Sequence, residues 1–117
     1  MTLKEYQDKA MTTCTNSSRN FAYMMLNLVG EVGEFASKVA KHIRKQKADI
    51  NENLIRPFAL NTDDLNELKK EAGDCLWQLS GLCSVMGWSL EEVAQMNLDK
   101  LADRQKRDVI VGEGDNR

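Results

Sequence analysis

The chain has 117 residues, one domain's worth, of which 42% are apolar and 29% charged, the composition of an ordinary water-soluble domain. One proline and seven glycines exclude collagen-like and low-complexity classes. A net charge of −2 argues against a general nucleic-acid coat or a polybasic membrane anchor, so neither nucleic acid nor membrane is an expected partner.

The first residues are charged and contain no apolar leader core, and the longest uncharged stretch, Cys75 to Leu90, is too short to span a bilayer. Three cysteines, Cys14, Cys75 and Cys83, lack a metal-binding spacing and suit a reduced, cytoplasmic protein. His42 is the only histidine, which excludes a multi-histidine zinc site within one chain.

In chain order the elements are helices. Thr2 and Glu5 form a capping-box pattern that opens a short helix to about Thr13. Cys14 to Asn20, rich in Thr, Ser and Asn, is a break. A second helix is predicted from about Arg19 to Lys47, its last turns basic. Ala48 to Asn61 reads as a flexible linker, with Arg56-Pro57 setting an extended step. Asn61 or Thr62 caps a third helix that ends at Gly87. Ser89 and Glu92 make a second capping-box pattern, opening a fourth helix from about Leu90 to Arg107, and residues 109–117 form a glycine-containing tail. The reading is a single all-α domain over residues 1–117.

Acidic residues three apart recur, but with 18 acids in 117 residues their spacing alone says little. Their placement says more. At about 100° per residue with Glu31 as zero, the apolar stripe of helix two (Phe21, Met24, Leu28, Val32, Phe35, Val39, Ile43) centres near about +80° and Glu34 lies near about −60°. With Glu71 as zero, the stripe of helix three (Leu65, Leu68, Ala72, Cys75, Leu76, Leu79, Cys83, Met86) also centres near about +80°, with Asp74 near about −60°.

Both pairs therefore sit on the shoulder of the core, and antiparallel packing could gather four carboxylates. Such a cluster repels itself and loses hydration, so it asks for cations, and oxygen-only ligands suit Mg²⁺ or Mn²⁺. The bland alternative pairs these acids with Lys38, Lys69 or Lys70. Gly30, Gly33 and Gly73 interrupt the helices beside the acids, which asks for close helix approach or ligand access. On the fourth helix Leu90, Val93, Ala94, Asn97 and Leu101 share a face edged by Lys100 and Arg104, cations that suit phosphate or neighbouring acids.

These residues together resemble the MazG-type, all-α nucleoside triphosphate pyrophosphohydrolases. That family carries Glu-x-x-Glu on one helix and Glu-x-x-Asp on a later one. Here they read Leu28-Val-Gly-Glu-Val-Gly-Glu-Phe35 and Leu68-Lys-Lys-Glu-Ala-Gly-Asp-Cys-Leu76. Asn97-Leu-Asp-Lys-Leu-Ala-Asp-Arg104 is similar to the family's downstream motif, and Gly-Glu-Gly-Asp-Asn-Arg117 to the tail of a small single-domain subgroup. Many members have a further Glu where Gly30 stands, so one metal ligand is missing here.

The resemblance implies hydrolysis of a nucleoside triphosphate to the monophosphate and pyrophosphate. Glu31, Glu34, Glu71 and Asp74 would hold Mg²⁺ (or Mn²⁺), with Glu34 orienting the water. Glu71 and Lys100 would join Glu34 in the chemistry, and Asn97, Lys100, Arg104 and Lys38 would bind substrate. It also implies a homodimer or homotetramer in which two subunits complete the helical bundle. Trp77, off its helix's main apolar face, and Trp88 are expected at a subunit interface rather than stacked on a base. The long segment between the motifs could shape a base pocket, and the tail could close over substrate. The rival readings are a non-catalytic helical interaction module and a phosphohydrolase acting on another nucleotide.

Overall fold

The computed structural model describes residues 1–45, 49–51, 54–56 and 60–117, with side chains described outside 46–59. Among the described residues there are four α-helices: α1 Leu3–Met11, α2 Phe21–Arg44, α3 Thr62–Val85 and α4 Leu90–Lys106. The caps explain where they begin. Thr2 and Glu5 form a reciprocal capping box on α1, and Asn61 and Asp64 form one on α3. The Asn20 side chain caps α2 through Tyr23 N, so the helix starts two residues after the start predicted from sequence. At α4 the Ser89 hydroxyl accepts from Glu92 N. Gly87, at φ +73°, makes the turn between α3 and α4 in the left-handed region that favours glycine.

Two readings change. The break before α2 contains a 3₁₀ turn, Asn16–Ser18. The predicted linker contains an antiparallel hairpin, β1 Asp49–Asn51 with β2 Leu54–Arg56, in which Ile50 pairs with Ile55. Strands of three residues are too short to leave an alternating pattern in the sequence. Lys47, Pro57 and the rest of the linker reading lie outside the described residues.

The main contact is α2 on α3, with α1 packed on α3 and α4 held by α1 and α3. α2 and α3 run antiparallel: Met24 meets Gly81, while farther up α2 Lys38 reaches Glu71 and Glu67, lower on α3. The approach is tight at Gly81, where a Cβ would overlap the Met24 sulfur and lie 2.6 Å from its methyl. Met24 is fully buried, with Met11 and Cys14 beside it and Trp77, Leu82 and Val85 packed against them. Gln7 ties the α3–α4 corner: its amide donates to Ser84 Oγ and Trp88 O, and its carbonyl accepts from Leu90 N.

This core covers only part of the predicted apolar stripes. Leu28, Phe35, Val39 and Ile43 are half-buried, but Phe21, Val32, Leu65, Leu79 and Met86 are exposed, as is Met25 beside the stripe. On α4, Leu90 is buried while Val93 and Leu101 are exposed. The Cα radius of gyration is 17.3 Å, against about 13 Å for a compact domain of this length. Trp77 departs from its interface reading. It is half-buried against the core, and its indole N–H donates to Ala10 O and Thr13 Oγ1. α1 covers a second face of α3, which the helix-wheel reading of α3 alone does not reveal.

Candidate metal and nucleotide site

The antiparallel α2–α3 contact gathers the acids. Ligating oxygens of Glu31, Glu34 and Glu71 lie within 4.8 Å of one another. Asp74 stands outside that group but close enough for its charge to act on Glu31. Burial, then Asp74, Glu34 and Glu71, push the Glu31 carboxyl above its ordinary value, partly offset by a hydrogen bond from Asn27 Nδ2 at 3.4 Å. Sequence reasoning misses Asn27, although it lies four residues before Glu31 on the same helix face. It misses Tyr6 as well. Burial and then Asp74 raise the Tyr6 phenol pKa, which places α1 at the edge of the cluster.

Glu71 is 7% exposed, an unusual place for a carboxylate. Its Oε1 accepts from Lys38 Nζ, and that hydrogen bond raises the lysine above its ordinary pKa, so Lys38 stays charged. Lys38 also lies 3.7 Å from Glu67, which Lys70 contacts at 2.8 Å. The bland reading of paired acids is thus met at Glu71. It is not met at Glu31 and Glu34, which form no ion pair with a basic side chain among the described residues.

Two buried oxygens, Glu31 Oε2 and Glu71 Oε2, have no hydrogen-bond partner among the described residues. A buried carboxylate oxygen without a donor is costly, and a hard cation satisfies it. The donor set therefore fits a divalent cation bound through oxygen. A Cβ added at Gly33 or Gly73 would have nothing within 4 Å, and one at Gly30 would meet only Asn27 Oδ1, at 3.6 Å. Close helix approach within the protomer is not the reason for these glycines, and the space beside Gly33 and Gly73 is open.

The α4 residues are elsewhere. Asn97 and Lys100 line an open groove of about 530 Å³ with Trp88, Glu92, Val93 and Met96. Among the described residues no hydrogen bond or ion pair joins Asn97, Lys100 or Arg104 to the acids. Lys100 and Arg104 instead meet Asp115 of the tail. Arg104, read from sequence as a helix edge, is 4% exposed because the tail folds back over it.

A family model for the MazG nucleotide pyrophosphohydrolase domain matches residues 19–109. The chain belongs to the MazG nucleotide pyrophosphohydrolase domain family. Gene 37 protein of Mycobacterium phage L5 is 38% identical over 102 residues, covering 87% of this chain and 81% of that protein. No solved structure matches the chain. The four helices agree with the all-α MazG fold, and the matched span contains both acid pairs. MazG membership implies a nucleotide pyrophosphohydrolase, hence a nucleotide substrate. No helix among the described residues is long and apolar enough to cross a membrane.

Proposed function

We propose that this MazG-family chain hydrolyses a nucleoside triphosphate to the monophosphate and pyrophosphate with Mg²⁺ or Mn²⁺ held by Glu31, Glu34, Glu71 and Asp74. The observation that carries this reading is the pair of buried oxygens, Glu31 Oε2 and Glu71 Oε2, that have no hydrogen-bond partner among the described residues, inside a cluster of three carboxylates. When bound, the cation supplies charge neutralisation of the triphosphate and acidifies a water.

The chain's own groups do the rest. Glu34 is exposed and makes no direct ion pair among the described residues, so its carboxylate can orient the attacking water and accept its proton. Lys38, half-exposed beside Glu71, is placed to turn from the carboxylate to a phosphate oxygen. The open space beside Gly33 and Gly73 admits substrate or a partner helix. Asn97, Lys100 and Arg104 supply amide and cationic contacts to sugar and phosphate.

These α4 groups lie apart from the acids in one protomer, and no described residue covers the exposed apolar faces of α2 and α3. Both observations support a homodimer as the minimal unit, in which a second copy covers Phe21, Met25 and Val32. The three unpaired thiols suit work in the cytoplasm.

The interaction-module reading has the Lys38–Glu71 pair in its favour, but leaves Glu31 and Glu34 without an ion pair among the described residues. A Mn²⁺ titration followed by electron paramagnetic resonance separates the two. The native chain should bind Mn²⁺, and Glu31→Gln with Glu71→Gln should abolish binding in a folded protein. A native chain that leaves the free Mn²⁺ signal unchanged contradicts the metal site. Sedimentation tests the dimer, and a concentration-independent monomer contradicts it.

A further inference from the structure

Arg104 has only 5% of its side chain exposed, and a guanidinium withdrawn from water needs acceptors. Asp115 supplies them. Arg104 Nη2 donates to Asp115 Oδ1 and to its main-chain oxygen, both at 3.0 Å. Lys100 Nζ donates to the same Oδ1 at 3.2 Å. One carboxylate oxygen is thus shared by two cations a helical turn apart.

The Asp115 side chain is 82% exposed, so it sits on the lip of this seat and can leave without opening the core. The segment that carries it is folded partly on itself and partly on the end of α4. Gly112 N bonds Val109 O and the Arg117 guanidinium donates to the carbonyls of Val109, Ile110 and Gly114, while Val109 N bonds Arg104 O and Arg107 Nη2 donates to Arg117 O. Apolar anchoring is limited to half-buried Val109, since Val111 is 98% exposed and Ile110 46%. Lys100 also borders the groove lined by Trp88, Met96 and Asn97, so the seat opens beside a space large enough for a small ligand.

We propose that Lys100 and Arg104 form a phosphate seat that the chain's own Asp115 fills at rest, and that a phosphate group displaces the carboxylate and releases residues 109–117. That the phosphate belongs to a nucleotide rests on the proposed function. A phosphate brings more charge and more acceptor oxygens to two cations than a carboxylate does. Asp115 has the advantage of being tethered, with an effective concentration on the order of millimolar. A single orthophosphate should therefore compete poorly, whereas pyrophosphate, whose two phosphoryl groups can engage both cations, should displace the carboxylate at saturation, and a nucleotide phosphate at lower concentration. The expected tail movement is release on binding, the reverse of closure over the substrate.

The test uses the full chain in EDTA with inorganic pyrophosphate as probe, so that the cation-free acids take no part in holding it. Calorimetry reads binding, and hydrogen exchange reads the tail. Saturating pyrophosphate should speed exchange of the 109–117 amides about tenfold while leaving α1 unchanged. Asp115→Asn should tighten pyrophosphate binding about three- to tenfold by removing the tethered competitor. Lys100→Gln should weaken it.

Unchanged or slowed tail exchange under saturating pyrophosphate overturns the proposal. So does an Asp115→Asn protein that binds no tighter than the native chain, or failure of both to bind. Because no metal and no turnover enter, the two readings fail separately. A chain that cleaves triphosphates with its tail still docked loses only the seat, and one that releases its tail but yields no pyrophosphate loses only the reaction.

Discussion

Lys38 on α2 and Glu71 on α3 form a direct ion pair, with Nζ 2.5 Å from Oε1, at the edge of a carboxylate cluster whose other members make no ion pair with a lysine among the described residues. The pair shows how the metal-free chain tolerates a carboxylate that is 7% exposed. It also sets apart Glu31, whose charge is opposed by burial and by three neighbouring acids.

Lys38→Met should therefore destabilise the metal-free protein by about 1–3 kcal/mol, since it strands a buried acceptor. Added Mg²⁺ should recover much of that loss, because a cation replaces the ammonium. Urea unfolding in EDTA and in Mg²⁺ measures both.

Glu31→Gln should act in the opposite sense. A carboxyl with a folded pKa above 4.5 binds its proton more tightly in the native state, so its contribution to stability improves as pH falls through the raised value toward 4.5. At neutral pH the ionised group is a net cost. Removing its charge should stabilise the protein in EDTA by about 0.5–2 kcal/mol, and should reduce the thermal shift produced by Mg²⁺. Paired melting curves at pH 7 with and without Mg²⁺ give both signs.

Tail docking should depend on pH through Asp115. Hydrogen bonds from Arg104 and then Lys100 hold its carboxyl below the ordinary 3.8. A depressed carboxyl pKa stabilises the docked state above 3.8, and that contribution is lost as pH falls through the lowered value. Amide relaxation of residues 109–117 should report a rigid tail at about pH 6, still rigid at pH 3.8, and release only on further acidification through the lowered value. In Asp115→Asn the tail should be released at both values.

The helix glycines separate packing from access. Gly81→Val should destabilise by about 1–3 kcal/mol, because its side chain meets buried Met24. Gly73→Ala adds a methyl to open space and should raise metal-free stability by up to about 1 kcal/mol through helix propensity. If substrate or a partner helix uses that space, the same variant should lose activity. Stability and turnover of the two variants, measured together, decide this.

The features legible in sequence are local or periodic. Helix starts follow from caps within a few residues, as at Thr2, Asn61 and Ser89. The meeting of Glu31, Glu34 and Glu71 follows from matched angular offsets on two helices. What escaped depends on a third element. Trp77 is covered by α1, a separate short helix, and the periodicity of α3 alone does not say which of its faces α1 docks on. Arg104 is buried by a tail that returns from about ten residues downstream. The α2 and α3 stripes predict more burial than one chain provides, which the proposed second copy explains.

Product analysis tests the central claim most directly. The protein would be incubated with Mg²⁺ and a panel of standard and modified ribo- and deoxyribonucleoside triphosphates, and the phosphorus products read by nuclear magnetic resonance. The account predicts pyrophosphate and monophosphate in equal amounts from at least one triphosphate, lost in EDTA and in folded Glu71→Gln. Release of orthophosphate instead, or equal turnover by Glu71→Gln, would contradict it.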